Sequence, residues 1–452
     1  MKKYLFMLIV AVAAAFNVSC SNEQVVDAGT PGTRAGSSIT LSGVLKGDQD
    51  LTAYGTVYLN GKVYQTDGTI KFAAGTHIIG QPEPTTKEAS ALIITPTGKI
   101  DAQGSSSSPI VFKGTSDKKG SWGGLVLLGK AIINQPDSQL IEGIDPASVP
   151  DGVNVFYGTP KSKVTESEAA ALDATSSGIL KYVRVENAGA SISKDNELNA
   201  FTFGAVGSGT VVEHIQAYHG ADDGAEFFGG AVNVKYYVCT ATDDDGLDFD
   251  FGYHGKIQFA VITEDPTLNY SSDPNGIECD NEKPFVATHQ PYTHPVLSNL
   301  TIVGTTDGKY GTTPFKSAAN FRRGTEFTLV NSIIYGFPKG LYFTDEPQSQ
   351  LDNSIFANNI IASYPAGNEL VSDAASGKVK ELDITKVDSV DEIGLVNPWT
   401  LTGLIPKANS KAEDGKYYTS LDGWFDSITY KGAFSSKETN RTIWTRGWTR
   451  TN

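Results

Sequence analysis

The chain has 452 residues, 39% hydrophobic and 19% charged, with 47 Gly and 20 Pro. That excludes a disordered chain, a collagen and a disulfide-dense mini-protein. A net charge of −15 argues against nucleic acid as a partner, and 3 cysteines make no disulfide framework.

The N-terminus reads as an address. Met1-Lys2-Lys3 is positively charged, and Tyr4 to Phe16 form an apolar run. The run is too short for a stable transmembrane anchor and suits a secretory signal. Val18-Ser19-Cys20 follows, and a Cys at that place resembles the bacterial lipobox, in which the thiol is diacylated. Asn17 departs from the Leu that this pattern prefers. Residues 1–19 are therefore expected to be a lipoprotein signal, Cys20 the lipidation site, and residues 20–38 a Gly/Ser/Thr-rich tether. An ordinary signal peptide with a chance Cys is the alternative.

From Ile39 onward the chain alternates short apolar runs with Gly, Asn and Asp. One polar stretch, Thr165 to Ala174, suits a short helix. The low Met count (2) and 10% aromatics favour a strand-rich core. The runs repeat as small–apolar–polar–apolar units: 200–203, 224–227, 246–249, 276–279, 318–321 and 340–343. A second apolar run travels with each. A strand-turn-strand unit with variable insertions predicts a parallel β-helix over residues 39–364, the competing fold being a β-sandwich. Coils about 4.8 Å apart make ladders of equivalent residues. Phe203, Phe227, Phe249, Cys279, Phe321 and Phe343 are then expected inside. Thr202, Glu226, Asp248, Glu278, Asn320 and Tyr342 are expected on the outer face.

Residues 365–452 are expected to leave the coil pattern, with a partly helical stretch from Lys378 to Glu392. Trp424, Phe425, Phe434, Trp444 and Trp448 are expected to pack over the last coil, because an open solenoid end needs covering.

Several segments carry a family resemblance. They are Leu-Ile-Ile-Thr-Pro-Thr-Gly-Lys-Ile-Asp-Ala-Gln-Gly (92–104), Gly-Ser-Trp-Gly-Gly (120–124), Asp-Asp-Gly-Ala-Glu-Phe-Phe-Gly-Gly (222–230), Tyr-Lys-Gly-Ala-Phe (430–434) and Trp-Thr-Arg-Gly-Trp-Thr (444–449). Together they resemble a family of secreted and surface lipoproteins of Bacteroidetes. The resemblance implies a right-handed parallel β-helix similar to pectin lyases, and anchoring at the outer membrane, exposed on the cell surface.

The ladder puts Glu226, Asp248 and Glu278 on one outer line, with Asp250 and Asp280 two residues on. Carboxylates at coil spacing repel, and Ca²⁺, which takes six to eight oxygens, is the natural compensation. These five residues are the candidate metal ligands. For Asp222, Asp223, Asp244 and Asp245 the favoured role is to satisfy backbone donors between coils. Glu278, Asp280 and Arg322 form the candidate catalytic set, although no lyase signature surrounds Arg322. Insertions after Asp248 and Glu278 carry Tyr270, Phe285 and Tyr292, whose rings suit a sugar or a peptide side chain. His289 and His294 accompany them without zinc-site spacing. Cys239 and Cys279 suit buried thiols, with a bridge as the alternative.

The reading that follows is a lipid-anchored surface protein binding a glycan or peptide, with Ca²⁺ as the candidate cofactor and a TonB-dependent nutrient importer as candidate partner. The alternatives are a Ca²⁺-dependent polysaccharide lyase or glycoside hydrolase, and a structural or adhesive protein.

Overall fold

The computed structural model describes residues 36–193, 196–270, 274–304, 309–310, 313–314, 317–344, 351–362, 369–371, 380–387, 390–416, 418 and 421–451. Cys20, the signal and most of the tether lie outside the described residues. No helix among those described is long and apolar enough to cross a membrane.

The repeating units become two parallel ladders. One stacks Leu125–Leu128, Phe201–Gly204, Ala225–Phe228, Leu247–Asp250, Ile277–Cys279, Ser317–Arg322 and Lys339–Thr344. The other stacks Gly178–Glu186, Val211–Tyr218, Asn233–Thr240, Lys256–Thr263 and Val296–Val303. Every pairing within both is parallel, the architecture of a β-helix. The expected inner ladder is in register and in the core: Phe203 faces Phe227, then Phe249, Cys279, Phe321 and Phe343 follow coil by coil. Cys239 and Cys279 are free and buried.

The strands of the second ladder bend at one residue each. Tyr182, His214, Tyr236, Phe259, Asn299, Asn331 and Asn358 all have φ between 50° and 62°. Left-handed backbone is costly for bulky side chains. Stacking offsets the cost. The ring of His214 lies 4.3 Å from that of Tyr182 and 4.3 Å from that of Tyr236, and Tyr236 lies 5.1 Å from Phe259. Asn, the side chain best suited to this conformation after Gly, takes the later positions.

Two expectations for the C-terminal part are corrected. The stretch from Lys378 contains a strand, Glu381–Val387, that pairs in parallel with Ile355–Ala362, so the stack runs past residue 364. Its β-branched residues find an open sheet edge, and that outweighs the helical charge pattern. Trp424 and Phe425 pack on Ile355 and Ala357 of the last predicted coil, as expected, but Trp444 and Trp448 sit on earlier coils, against Tyr236, His214 and Tyr182. The aromatic segment runs back along the flank of the stack as a strap. Asn358, Asn331, Asn299, Gln258, Gln216 and Arg184 donate in turn to the carbonyls of Asp414, Lys416, Tyr430, Asp426, Arg450 and Trp448. Trp448 is fully buried, and Phe434, Trp444 and Trp448 cover Val238, Val261, Val303 and Ile333. The flank offers both apolar side chains for the aromatics and side-chain donors for the segment's carbonyls.

The segment between Leu128 and Gly178 is an insertion. It carries the expected helix, Glu166–Asp173, which opens with a capping box between Thr165 and Glu168.

Candidate functional site

The outer line is in the predicted register: Thr202, Glu226, Asp248, Glu278, Asn320 and Tyr342 face one another across successive coils. It is not an open surface, because Glu226 and Glu278 are each only 6% exposed and Thr202 is 0% exposed.

Just before four successive strands of this ladder, those starting at 201, 225, 247 and 277, stands an Asn or Asp. Asn199 accepts the N–H of Asp223, Asp223 that of Asp245, Asp245 that of Asn275, and Asn275 that of Ser317. The backbone-satisfying role expected of the turn acids therefore holds for Asp223 and Asp245. Asp222 accepts a backbone N–H as well, that of Asp223. Carboxylate oxygens of Asp222, Asp223 and Asp244 lie within 4.8 Å of one another, and so do those of Asp223, Glu226 and Asp248. Two triads thus share Asp223.

The environment opposes ionisation. Burial, with Glu142 and Glu197 adding repulsion, pushes Asp222 up to about 8. Burial raises Asp248 to about 6, with Arg322 pulling the other way. Burial raises Asp223, Glu226, Asp245 and Asp250 well above the usual carboxylate range. Among the described residues, the charged groups named around Glu226 are Glu142, Asp248 and Asp223, all acidic. Hard oxygen donors held together at an unfavourable electrostatic cost suit a divalent cation such as Ca²⁺.

The other candidate ligands are placed differently. Glu278 pairs with Arg322. Asp280 lies 3.4 Å from Arg322 and also pairs with Arg323, whose Nε donates to it at 3.0 Å. These acids are neutralised by the next coil's arginines, and neither belongs to a triad. Burial works against the charge on Arg322, but Glu278 and Asp280 overcome it and raise its pKa. Asp250 stands beside this pair with its Oδ1 buried and without a hydrogen-bond partner.

The aromatic candidates divide. Tyr270 is not an exposed platform. It is 8% exposed, its hydroxyl accepts the N–H of Asp265 at 2.7 Å, and Lys119 sits 4.6 Å over its ring. Its loop folds inward because the ring finds both a polar partner and the core. Phe285 and Tyr292 are half-buried, with ring centres 5.7 Å apart. Phe285 lies so close to Gly324 (φ 74°) that a Cβ there would meet the ring at 2.4 Å. His289 and His294 pair with Glu282 and Glu326 and serve their loop.

Two residues escaped the sequence reading. Glu142, on the insertion, reaches the line, and Asn199 donates to both Glu142 (3.0 Å) and Glu226. Asn199 had a legible signal: it precedes its unit as Asp223, Asp245 and Asn275 precede theirs. Glu142 had none, because insertions carry no register.

No curated protein and no solved structure gives a significant match to the chain. Residues 43–449 match the model of the pectate-lyase-like β-helix domain, and the chain belongs to that family.

Proposed function

We propose that the chain is a cation-dependent enzyme that cleaves an acidic polysaccharide, as a lyase or a hydrolase. The observation that carries this reading is the pair of carboxylate triads on adjacent coils of a pectate-lyase-like domain, with Asp223 and Glu226 buried and Asp222, Asp244 and Asp248 partly exposed. Asp222, Asp223 and Asp244 would hold the cation, with Glu226 and Asp248 beside them. When bound, Ca²⁺ would neutralise the cluster and draw in a uronate carboxylate that the bare acids repel.

The chain's own residues then divide the work. Arg322 supplies positive charge next to the acidic line. Glu278 and Asp280 oppose loss of its proton, so it serves better to hold a substrate carboxylate than to act as a base. Proton transfer falls to the carboxylates of the line. One carboxylate oxygen of Glu226 and one of Asp248 lie within 4.8 Å of each other, and the product assay below separates elimination from hydrolysis. Phe285 and Tyr292 offer ring faces one coil above.

The placement at a cell surface belongs to the same proposal: lipidation at Cys20 would hold the enzyme at the outer membrane, beside an importer of the TonB-dependent class that takes up the products. The test is incubation of the full chain with polygalacturonate, with Ca²⁺ or with chelator. Ultraviolet absorbance of an unsaturated product would mark elimination, and new reducing ends without it would mark hydrolysis. Binding of the polymer with no cleavage would replace the enzyme by a glycan-binding protein. Neither binding nor cleavage of this or of neutral polysaccharides would leave a structural role.

A further inference from the structure

Asn199 does two jobs at once. Its carbonyl oxygen accepts the N–H of Asp223 at 3.2 Å, as its ladder counterparts do for the next coil. Its amide nitrogen donates to Glu142 and to Glu226. The first is a ladder contact that Asp makes equally well at 223 and 245. The second suits an amide, because its NH2 is a neutral group with two hydrogens to donate, one to each carboxylate. Asn199 is fully buried, so neither contact is a surface accident.

A second observation points to the same place. Thr202 lies on the strand that Asn199 precedes, in direct register with Glu226. Its Oγ1 is fully buried and has no hydrogen-bond partner. Buried hydroxyls normally find one, and an orphan beside converging carboxylates suits a site that a ligand or its water completes.

We infer that Asn199 is the positioning residue of the cation site, holding Glu226 towards Asp223 and Asp248 while tying Glu142, from the insertion, to the same rim as a further oxygen donor. This rests on the proposed function only for the existence of the site. The insertion between Leu128 and Gly178 is then a wall that reaches the line through Glu142, which contacts Glu226 directly and is tied to it by the Asn199 amide. Partners that orient metal ligands are typically worth ten- to a hundred-fold in metal affinity.

Asn199→Asp separates the two jobs. It keeps the ladder acceptor and puts a carboxylate where the amide was. The full chain is melted in chelator and across a Ca²⁺ titration, as wild type, Asn199→Asp, Asn199→Ala and Glu142→Gln. A positioning role makes the Ca²⁺-induced rise in Tm smaller in Asn199→Asp and in Asn199→Ala than in wild type, because neither side chain offers the amide. Asn199→Asp is also the less stable protein in chelator, and Glu142→Gln weakens Ca²⁺ binding. If Asn199→Ala fails to fold, Asn199→Asp decides alone. A wild-type rise matched by Asn199→Asp, with wild-type stability in chelator, makes Asn199 a ladder residue only and overturns the inference. No rise in wild type removes the cation site itself, and the positioning role with it.

Discussion

Asp223 and Asp245 are joined across one coil step: Oδ1 of Asp223 accepts the backbone N–H of Asp245 at 2.8 Å. Asp245 repeats the contact upward to Asn275 at 2.7 Å. Each acid thus satisfies a backbone donor of the next coil, while Asp223 also belongs to both triads and Asp245 to neither. One residue type stands at both places, which is why the two could not be separated along the chain.

The structural half of that arrangement can be isolated at Asp245. Asp245→Ala removes the acceptor and leaves the N–H of Asn275 buried without a partner, at a cost of about 1–3 kcal/mol. Asp245→Asn keeps the acceptor and removes a carboxyl whose ionisation burial opposes. Urea melts are expected to show the loss for Ala and near wild-type stability for Asn.

Without a divalent cation, stability is expected to fall as pH rises. Asp248 and Asp222 have folded-state values of about 6 and about 8, above the 3.8 of a free Asp. Between those limits the folded chain binds more protons than the unfolded one, so its stability is greatest below about 4 and is lost as pH passes through about 6 and then about 8. Calorimetry in chelator should record a Tm that declines from pH 5 to 8, the underlying loss of stability being about 1 kcal/mol from Asp248 and about 4 kcal/mol from Asp222. Ca²⁺ should flatten the decline, because it binds the ionised form. A flat profile in chelator would contradict the buried acids.

Arg322→Ala should destabilise the fold strongly. It leaves Glu278 and Asp280, buried acids at a coil junction, with one partner fewer. Breaking such a pair costs about 3–5 kcal/mol. Chemical denaturation measures it, and a second change, Glu278→Gln, should recover part of the loss because the unpaired charge goes with it.

The flank strap gives a separate prediction. Trp448 is fully buried, with ring centres 5.9 Å from Tyr182 and 5.8 Å from His214. Trp448→Ala should cost about 3–5 kcal/mol. Hydrogen exchange should locate the loosening in 444–451 and along the flank strands, leaving the acidic line protected. Uniform loosening would mean that the strap and the stack unfold as one unit.

The stack was legible from the chain because period and ladder geometry are local rules. Once Glu226, Asp248 and Glu278 occupied the same place in successive units, their register followed without knowledge of the rest. The fate of those acids did not. Glu278 and Glu226 look alike in sequence, yet Arg322 neutralises the first while Glu142 and Asp223 crowd the second. Tyr270 and Tyr292 sit in similar loops, and only folding buried one of them.

By itself the sequence determined the parallel coils, the inner aromatic ladder, the outer carboxylate line and the short capped helix. Each depends on residues near in sequence or one repeat apart, where spacing alone dictates which side a residue faces. Tertiary structure alone decided which carboxylates converge, that an insertion brings Glu142 to Asn199 and Glu226, and that the aromatic C-terminal segment returns along the flank. Those contacts join residues far apart in the chain. They are set by which apolar side chains and which buried polar groups still lack a partner, conditions that exist only once the coils have stacked.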